Sequence, residues 1–294
     1  MARLPGQAGH QFRQPLITFR RRSVGRGFAA IVVATVVMLA GPAALAQPAS
    51  NNAQELAKAL SNPVASLISV PIQQNFDFGF ASDNDGWRST TNIQPVVPIS
   101  ISEDWNLISR TILPVIYQDG VTRRHRDQFG LGDTVQSAFF SPKQVGPSGI
   151  IWGVGPAFLL PTATKHVLGS EKWGIGPTAV ALKQSGPLTM GALANHIWSF
   201  AGDNDRRDVS STFMQPFIAY TNKNATTFTV NSETTYDWKA KDWLVPFNFQ
   251  VNQLLKVGQQ PIQIGGGVRY YADSPRHGPD WGLRFNLIFL FPKS

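Results

Sequence analysis

The sequence predicts an all-β protein, and within that class a transmembrane antiparallel β-barrel of about 12 strands with a short N-terminal periplasmic helix. Three observations lead to this prediction. Large apolar residues recur at every second position along most of the chain, the connections between these segments alternate in length, and tryptophans lie near the segment ends. Each of these features is typical of bacterial outer-membrane barrels.

The alternation is clearest in the C-terminal stretch from Trp281 to Phe291. Every second residue there is large and apolar, whereas Arg284 and Asn286 lie on the opposite face. Successive side chains of a strand point to opposite faces, so this spacing predicts a strand with one apolar face. A soluble sandwich also contains such strands, and this stretch alone does not distinguish a protein core from lipid. We expect the barrel-assembly machinery to recognise this strand.

Eleven further segments show strand spacing, and none of useful length shows a helical period. With the C-terminal strand they make about twelve, an even number as in bacterial outer-membrane barrels. The predicted segments are 68–80, 91–101, 107–118, 132–143, 150–163, 173–184, 188–201, 209–220, 226–238, 243–256 and 260–273.

The connections between these segments alternate between short turns and longer, more charged loops. This asymmetry is that of a barrel with short turns on its periplasmic side, and it places both termini there. The exception is 239–242, which is short where a long loop is expected. The short turns are 102–104, 145–149, 185–187, 222–224 and 257–259, and the longer loops are 82–87, 119–130, 164–172, 202–208 and 274–280.

All eight tryptophans lie within or beside predicted strands, mostly near their ends. Indole has an apolar body and one polar edge, which suits the interface between membrane and water. Tryptophan is also common near the strand ends of soluble β proteins, so this placement supports the barrel without proving it. Lipids and lipopolysaccharide of the outer membrane are the partners that such a surface implies.

The polar faces of the strands carry many Asn, Gln, Thr and Ser residues and few charges, as expected for a narrow polar lumen. Charges that line a path give it ion or polar-solute selectivity, whereas charges that pair with one another can close it. By alternation, the charged side chains predicted to line the lumen are Asp77, Arg110, Glu233, Arg269 and Arg284.

Prolines inside predicted strands argue against the barrel. Each removes one hydrogen-bond donor from the ladder, and lipid tolerates unpaired backbone groups poorly. The prediction therefore requires these residues to lie at bulges, near rims or beside lumen water. They are Pro95, Pro98, Pro114, Pro156, Pro161, Pro177, Pro216 and Pro246.

The first 46 residues have the pattern of a cleaved signal peptide. Six arginines and no acidic residue lie in this leader, the apolar run Phe28 to Leu39 follows all six, and the small-residue site Ala44-Leu45-Ala46 comes last. The apolar run is shorter than the ~20 residues that a spanning anchor needs. We therefore predict export with cleavage near Ala46, an N-terminal arm at 47–63 and an outer-membrane barrel at 64–294.

The leader also explains the basic charge. The whole chain carries 26 basic and 18 acidic residues, and without the six leader arginines the basic count falls to 20. The remaining excess of two argues against a nucleic-acid-binding protein. The chain has no cysteine, so disulfides play no part in its folding.

A short helix is predicted from Asn51 to Leu60, ended by Asn62-Pro63. Its apolar residues share one face. The helix is either a simple arm or a plug at the periplasmic end of the barrel.

The residues with catalytic potential give little support for an enzyme. Asn195, His196 and Ser199 have the residue types of an outer-membrane phospholipase site, but a histidine base must reach the serine hydroxyl. His196 and Ser199 are three positions apart on one predicted strand and point to opposite faces. We therefore predict a protein without catalytic activity and without a cofactor.

Other polar or glycine-rich motifs are equally weak. The histidines have no partners at metal-ligand spacing, so no metal site is predicted. Gly265-Gly266-Gly267 interrupts a strand and precedes no helix, which fits a bend or a close approach rather than a phosphate loop. The basic loop Arg123 to Arg126 either attracts lipopolysaccharide phosphates or acidic solutes, or is simply solvated.

Several runs resemble a bacterial family of outer-membrane transporters named after the MetA pathway of phenol degradation, whose members are sometimes mislabelled neuromedin U. The resemblance covers about residues 55–293, includes the in-strand prolines, and implies an outer-membrane β-barrel. It supplies no catalytic motif and no substrate. The runs are 62–71, 105–118, 129–133, 168–174 and 191–202.

The sequence thus predicts a non-catalytic outer-membrane channel or transporter for small molecules. Two alternatives stay open at this point. One is an outer-leaflet lipid-modifying enzyme, and the other is a closed structural or adhesive barrel.

Overall fold

The computed structural model describes residues 51–81, 84–122 and 127–291. The predicted signal peptide at 1–46 and the basic loop Arg123 to Arg126 lie outside these ranges. One helix, α1 (Asn51–Ala59), precedes the strands, and one 3-10 turn (His166–Leu168) lies in a loop. In the described part of the chain, no helix has both the length and the apolar character needed to cross a bilayer.

Fifteen strand segments make up the rest of the fold. Most match a predicted segment to within a few residues. In chain order they are β1 (Ile68–Phe80), β2 (Gly86–Ile93), β3 (Val96–Ser100), β4 (Trp105–Asp119), β5 (Gln128–Leu131), β6 (Thr134–Pro142), β7 (Ile150–Leu160), β8 (Lys172–Ser185), β9 (Leu188–Gly202), β10 (Ser210–Thr221), β11 (Thr226–Ser232), β12 (Thr234–Asp237), β13 (Asp242–Val257), β14 (Gln260–Asp273) and β15 (Trp281–Phe291).

The sheet closes into a barrel, because β1 pairs with both β2 and β15 in antiparallel register. The β1–β15 pairing runs from Ile68↔Phe291 to Phe78↔Trp281. Three strands are each interrupted once, giving the segment pairs β2/β3, β5/β6 and β11/β12, in which both members share a neighbouring strand. The fifteen segments therefore form twelve strands, which confirms the predicted fold class.

The interruptions occur where prolines remove ladder donors. Pro95 lies between β2 and β3, and Pro114 lies beside the gap between β5 and β6. Pro216 and Pro246 lie on the two strands that flank Glu233, the residue between β11 and β12. The proline carbonyls still accept backbone hydrogen bonds, as from Gly132 N to Pro114 O at 2.9 Å. The ladder therefore loses donors at a few places and remains closed around them.

The outer wall of the barrel exposes large apolar side chains. Phe249 on β13 is 49% exposed and Phe285 on β15 is 51% exposed. Their neighbours Asn248 and Arg284 point inward and are almost fully buried. An outer surface this apolar is suited to acyl chains rather than water, as in transmembrane barrels.

The two rims of the barrel differ. The short-turn rim carries the connections after β8, β10 and β13, such as Asn222 to Ala225 and Gly258. The long-loop rim carries 161–171, 203–209 and 274–280, as the sequence predicts. Loop 161–171 is tied to the interruption between β5 and β6, because Asp133 accepts hydrogen bonds from Ser170 N and Ser170 Oγ, both at 2.6 Å.

Helix α1 lies at the short-turn rim. Gln54 Nε2 donates to Thr221 O at 3.2 Å, and Gln184 Nε2 donates to Lys58 O at 3.1 Å. Its apolar face packs on side chains near the rim, with Ala57 fully buried. Two hydrogen bonds and one apolar face therefore hold α1 against the end of the barrel.

The chain after α1 enters the barrel and packs on one side of its interior. Val64 is buried there, and Asn106 Nδ2 donates to Ser66 Oγ at 2.8 Å. This part of the interior is apolar, and we call it the apolar side. It comprises Val64, Ile108, Phe139, Val180, Leu182 and Leu193.

Candidate functional site

The other side of the barrel interior carries buried charges. We call it the lumen cluster and define it as Asp77, Arg88, Glu233, Arg269 and Arg284. Four of these residues come from adjacent strands, since β14 pairs with β15, β15 with β1, and β1 with β2, where Arg88 lies opposite Asp77. Period-two alternation turns these four inward.

A glycine lets two members of the cluster meet across a strand. Gly282 on β15 lies between Asp77 on β1 and Arg269 on β14 in the ladder. Because Gly282 has no side chain, Arg269 Nη1 approaches Asp77 Oδ1 to 3.4 Å above it. A Cβ at position 282 would lie 2.6 Å from Asp77 Oδ1.

Arg284 holds the cluster together. Its guanidinium donates from Nη1 and Nη2 to the two carboxylate oxygens of Glu233, both at 2.7 Å. Its Nε donates to Asn75 Oδ1, also at 2.7 Å. The residue is 1% exposed, so a desolvated cation meets a bidentate carboxylate, the strongest arrangement that this pair of groups offers.

Glu233 reaches the lumen because the strand that carries it is interrupted. Its backbone N donates to Pro246 O at 3.3 Å, and neither β11 nor β12 includes it. The side chain also lies 3.7 Å from Arg269 Nη2, measured at Oε2. One carboxylate therefore serves two arginines from across the barrel.

Tyr271 and Arg88 complete this polar layer, and the sequence analysis did not identify either. Tyr271 OH donates to Asp77 Oδ1 at 2.8 Å. Arg88 Nε donates to Gln118 Oε1 at 2.9 Å, and its guanidinium lies 4.9 Å from the centre of the Phe80 ring. Tyr271 could have been found from the alternation, because it is two positions after Arg269 and so lies on the same face of the strand. Arg88 was missed because it precedes the segment that was predicted to start at residue 91.

The structure therefore brings together four of the five charged residues predicted to line the lumen. The fifth, Arg110, lies apart from them on β4. Its Nη2 donates to Gln94 Oε1 at 3.1 Å. No carboxylate in the described ranges comes within ion-pair distance of its guanidinium, whereas Arg269 and Arg284 both have acidic partners.

Among the cavities inside the described part of the barrel, one is lined by the cluster itself and another lies nearer the short-turn rim. The outer cavity, about 240 Å³, is lined by Asp77, Arg88, Glu233 and Pro279 among others. The inner cavity, about 210 Å³, lies between Arg110 and the chain from Ala59 to Ala65. On β1, Pro71 lines the inner cavity and Asn75 lines the outer one, a separation of roughly 14 Å at strand rise.

The glycine run of β14 permits a close strand approach. A Cβ at Gly267 would lie 2.0 Å from Phe249 O, and one at Gly265 would lie 2.3 Å from Asn252 Oδ1. Asn286 Nδ2 donates to Asn252 Oδ1 at 3.0 Å beside this space. The glycines therefore make room for lumen amides.

His196 does not contact Ser199. His196 Nδ1 lies 2.7 Å from Thr212 Oγ1, and His196 Nε2 lies 3.4 Å from Ser210 Oγ on β10. The ring also packs against Trp198, with centroids 4.0 Å apart and the planes tilted by 46°. Ser199 Oγ instead donates to Asp208 Oδ1 at 3.3 Å, in the loop that follows β9.

Acidic groups at the long-loop rim serve structural roles. Lys172 hydrogen-bonds Asp208, with Nζ 3.1 Å from Oδ1, and this contact lowers the pKa of Asp208 below its ordinary value. Asp133 and Ser170 join two of the runs on which the family resemblance rests. Within the described ranges, no three His, Cys, Asp or Glu side chains are grouped so as to hold a metal ion.

The closed twelve-stranded wall with its polar interior is that of an outer-membrane β-barrel. The structure is similar to an outer-membrane channel of Pseudomonas putida F1, with a TM-score of 0.60 and 14% identity, over 77% of this chain and 96% of that one. Outer membrane phospholipase A from Escherichia coli matches with a TM-score of 0.43 and 7% identity, over 78% of this chain and 100% of that one. No protein-family model and no curated protein sequence matches the chain. At such low identity, the first likeness shows the fold alone.

Proposed function

We propose that the protein is a non-catalytic channel that passes small solutes across the outer membrane. The observation that carries this proposal is the polar interior: a hydrogen-bonded charged layer lines a cavity of about 240 Å³, and a second cavity of about 210 Å³ lies nearer the short-turn rim. Eight-stranded barrels fill their interiors with side chains, whereas this twelve-stranded one leaves space. The P. putida protein to which the fold is similar is itself described as a channel.

The lumen cluster is the proposed selectivity layer. Asp77, Glu233 and Arg269 line the outer cavity, and Arg284 pairs with Glu233 beside it. Charged groups in a constriction select solutes by sign and by hydrogen bonding. Asp77 and Arg269 then set the polarity of the outer entrance.

Helix α1 is the proposed plug. It covers the short-turn rim through two side-chain hydrogen bonds and a small apolar face, and these contacts are few compared with those of a strand. The plug would stay attached at Ile68, where β1 begins, and swing or loosen without breaking the wall. On this proposal the short-turn rim faces the periplasm.

Export and insertion follow from the sequence. We propose that the leader is cleaved near Ala46 and that the assembly machinery recognises Trp281 to Phe291 on β15. The apolar wall then contacts outer-membrane lipids, with lipopolysaccharide around the long-loop rim. The likeness to the phenol-degradation transporter family supports this placement and leaves the solute open.

Single-channel recording in planar bilayers tests the channel. The mature chain is expected to give a small conductance, and deletion of residues 47–63 is expected to raise it because the short-turn rim is then open. Glu233→Gln should shift the ion selectivity of the deletion variant toward anions. Lys223→Gln, in an exposed turn, is the control and should change neither quantity. If both the mature chain and the deletion variant insert, show heat-modifiable gel mobility and pass no current, the closed structural barrel is correct.

A second candidate is acyl-ester hydrolysis on the outer wall. It is supported by the position of Ser210 Oγ, 3.4 Å from His196 Nε2, with Thr212 at the other ring nitrogen. In this arrangement His196 would take the Ser210 proton as the hydroxyl attacks an ester. Release of fatty acid from phospholipid by the purified protein, abolished by Ser210→Ala and retained by Ser199→Ala, would establish this activity in place of transport alone.

A further inference from the structure

The inner cavity borders Arg110, which forms no ion pair within the described residues, and its lining is partly apolar. We infer that it is a binding site for a small organic carboxylate, held by Arg110. The inference names the solute class of the proposed channel and rests on that function for its meaning, but binding can be measured without conduction.

The Arg110 guanidinium has N–H donors without an acceptor among the described residues. A guanidinium carries five N–H groups, and the described residues accept one hydrogen bond from this one, at Gln94 Oε1. Arg110 is only partly buried although it lies inside the barrel, because it borders the inner cavity. Its remaining donors are therefore available to a ligand there.

The charge balance among the lumen cluster and Arg110 favours an anion. These six residues comprise four arginines and two carboxylates, those of Asp77 and Glu233. With both carboxylates ionised, this set carries an excess of two positive charges. Glu233 cannot also neutralise Arg110 by contact, since Arg284 already engages both of its oxygens. Unpaired charge in a confined space is costly, and a bound anion removes that cost.

The shape and lining of the cavity select among anions. An apolar cavity of about 150 Å³ holds benzene, so a cavity of about 210 Å³ accommodates one ring with a carboxylate. A planar carboxylate matches the guanidinium fork in a way that a halide cannot. Apolar side chains form part of the lining, which suits an aromatic ring, and polar ones such as Gln94, Gln215 and Asn231 form the rest. The apolar members include Leu60, Val96, Phe217 and Ile288.

Benzoate is the probe, and titration calorimetry of the detergent-solubilised full mature chain is the measurement. One benzoate should bind per chain, and benzamide, which has the same ring without the charge, should bind at least tenfold more weakly. Arg110→Met should weaken benzoate binding at least tenfold and leave benzamide unchanged. Arg207→Met, at the exposed rim pair with Asp237, is the matched control and should bind benzoate as the parent does.

A second variant guards against misfolding of the first. Ala65→Phe keeps Arg110 but occupies the inner cavity, and it should also abolish benzoate binding. Heat-modifiable gel mobility shows which variants retain the barrel. Equal benzoate affinity in the parent and in folded Arg110→Met or Ala65→Phe would overturn the inference, as would equal affinity for benzoate and benzamide.

The two proposals fail separately. Benzoate binding that depends on Arg110 in a protein without conductance would keep the carboxylate site and remove the channel. Conductance in a protein that binds no benzoate would keep the channel and remove the site. A protein that releases fatty acid and shows no Arg110-dependent benzoate binding would likewise remove the carboxylate site.

Discussion

On one side of the barrel interior, Ile108, Phe139 and Val180 pack around Val64 as in the core of a soluble protein. On the other side, Arg284 and Glu233 meet in a buried ion pair beside two cavities. Both sides lie within the same closed sheet and are built on the same alternation. The difference is in which residue types occupy the inward positions.

The two sides of the interior therefore have different roles. The apolar side fixes the chain that follows α1, since burial of Val64 holds that segment against β4, β6, β8 and β9. The charged side leaves space and offers hydrogen bonds, which suits passage of a polar solute. Each side can be disrupted separately, and the size of each effect tests this difference.

The largest effect is expected from Arg284→Met, which breaks the charged side. Removal of one partner leaves the Glu233 carboxylate in a desolvated place, and breaking such a pair typically costs about 3–5 kcal/mol. Urea unfolding in lipid vesicles, followed by tryptophan fluorescence, measures the loss. The double variant Arg284→Met/Glu233→Gln should lose less than the single one. Arg207→Met, which breaks an exposed pair, should change the unfolding free energy by under ~1 kcal/mol.

Phe139→Ala breaks the apolar side and should cost about 3 kcal/mol in the same assay, the lower end for a buried phenylalanine. The segment around Val64 is not part of the sheet and can move into the space. Phe140→Ala, the adjacent residue on the outer wall, is the control and should cost clearly less. An equal loss for both residues would mean that the apolar side is not packed as a core. Conductance should change little, since the charged layer is intact.

The residues of the charged side were largely predictable, but their pairing was not. Period two identifies Asp77, Arg269 and Arg284 as inward residues, because a strand in a closed wall has only two faces. The contact between Arg284 and Glu233 reaches over two intervening strands, β13 and β14, and depends on the curvature of the wall. Arg110 is separated from the cluster because it lies at a different height along the barrel axis. The register between neighbouring strands sets that height, and the local sequence does not reveal the register.

The in-strand prolines are a second feature that the sequence of a single strand does not explain. Alternation predicts strands through Pro216 and Pro246, and the lost donors then count against the barrel. In the structure both residues lie beside the interruption at Glu233. An interruption in one strand can be related to prolines on other strands only when the neighbouring strands are known. Each strand considered alone therefore gives no role for these prolines.

Gly282→Ala should disturb the charged side of the interior without removing a charge. The new Cβ would lie 2.6 Å from both Asp77 Oδ1 and Phe76 O, so Asp77 and Arg269 must separate or the strands must shift. We expect a loss of about 2 kcal/mol in unfolding free energy, typical of overpacking. Gly266→Ala points to the outer wall, where the nearest atom is 3.2 Å away, and should cost less. Equal losses would remove the special role of Gly282.

The smallest effect is expected at the rim, outside both interior sides. Lys172 lowers the pKa of Asp208 in the folded state, so the contact stabilises the fold above the ordinary carboxyl pKa of 3.8 and is lost as the pH falls through the lowered value. Asp208→Asn should therefore reduce the urea midpoint slightly at pH 7 and leave it unchanged once the parent carboxyl is protonated. Comparison of the two proteins at neutral pH and near pH 2 measures this. A difference that persists in acid would show that Asp208 acts through Ser199 or the loop backbone rather than through its charge.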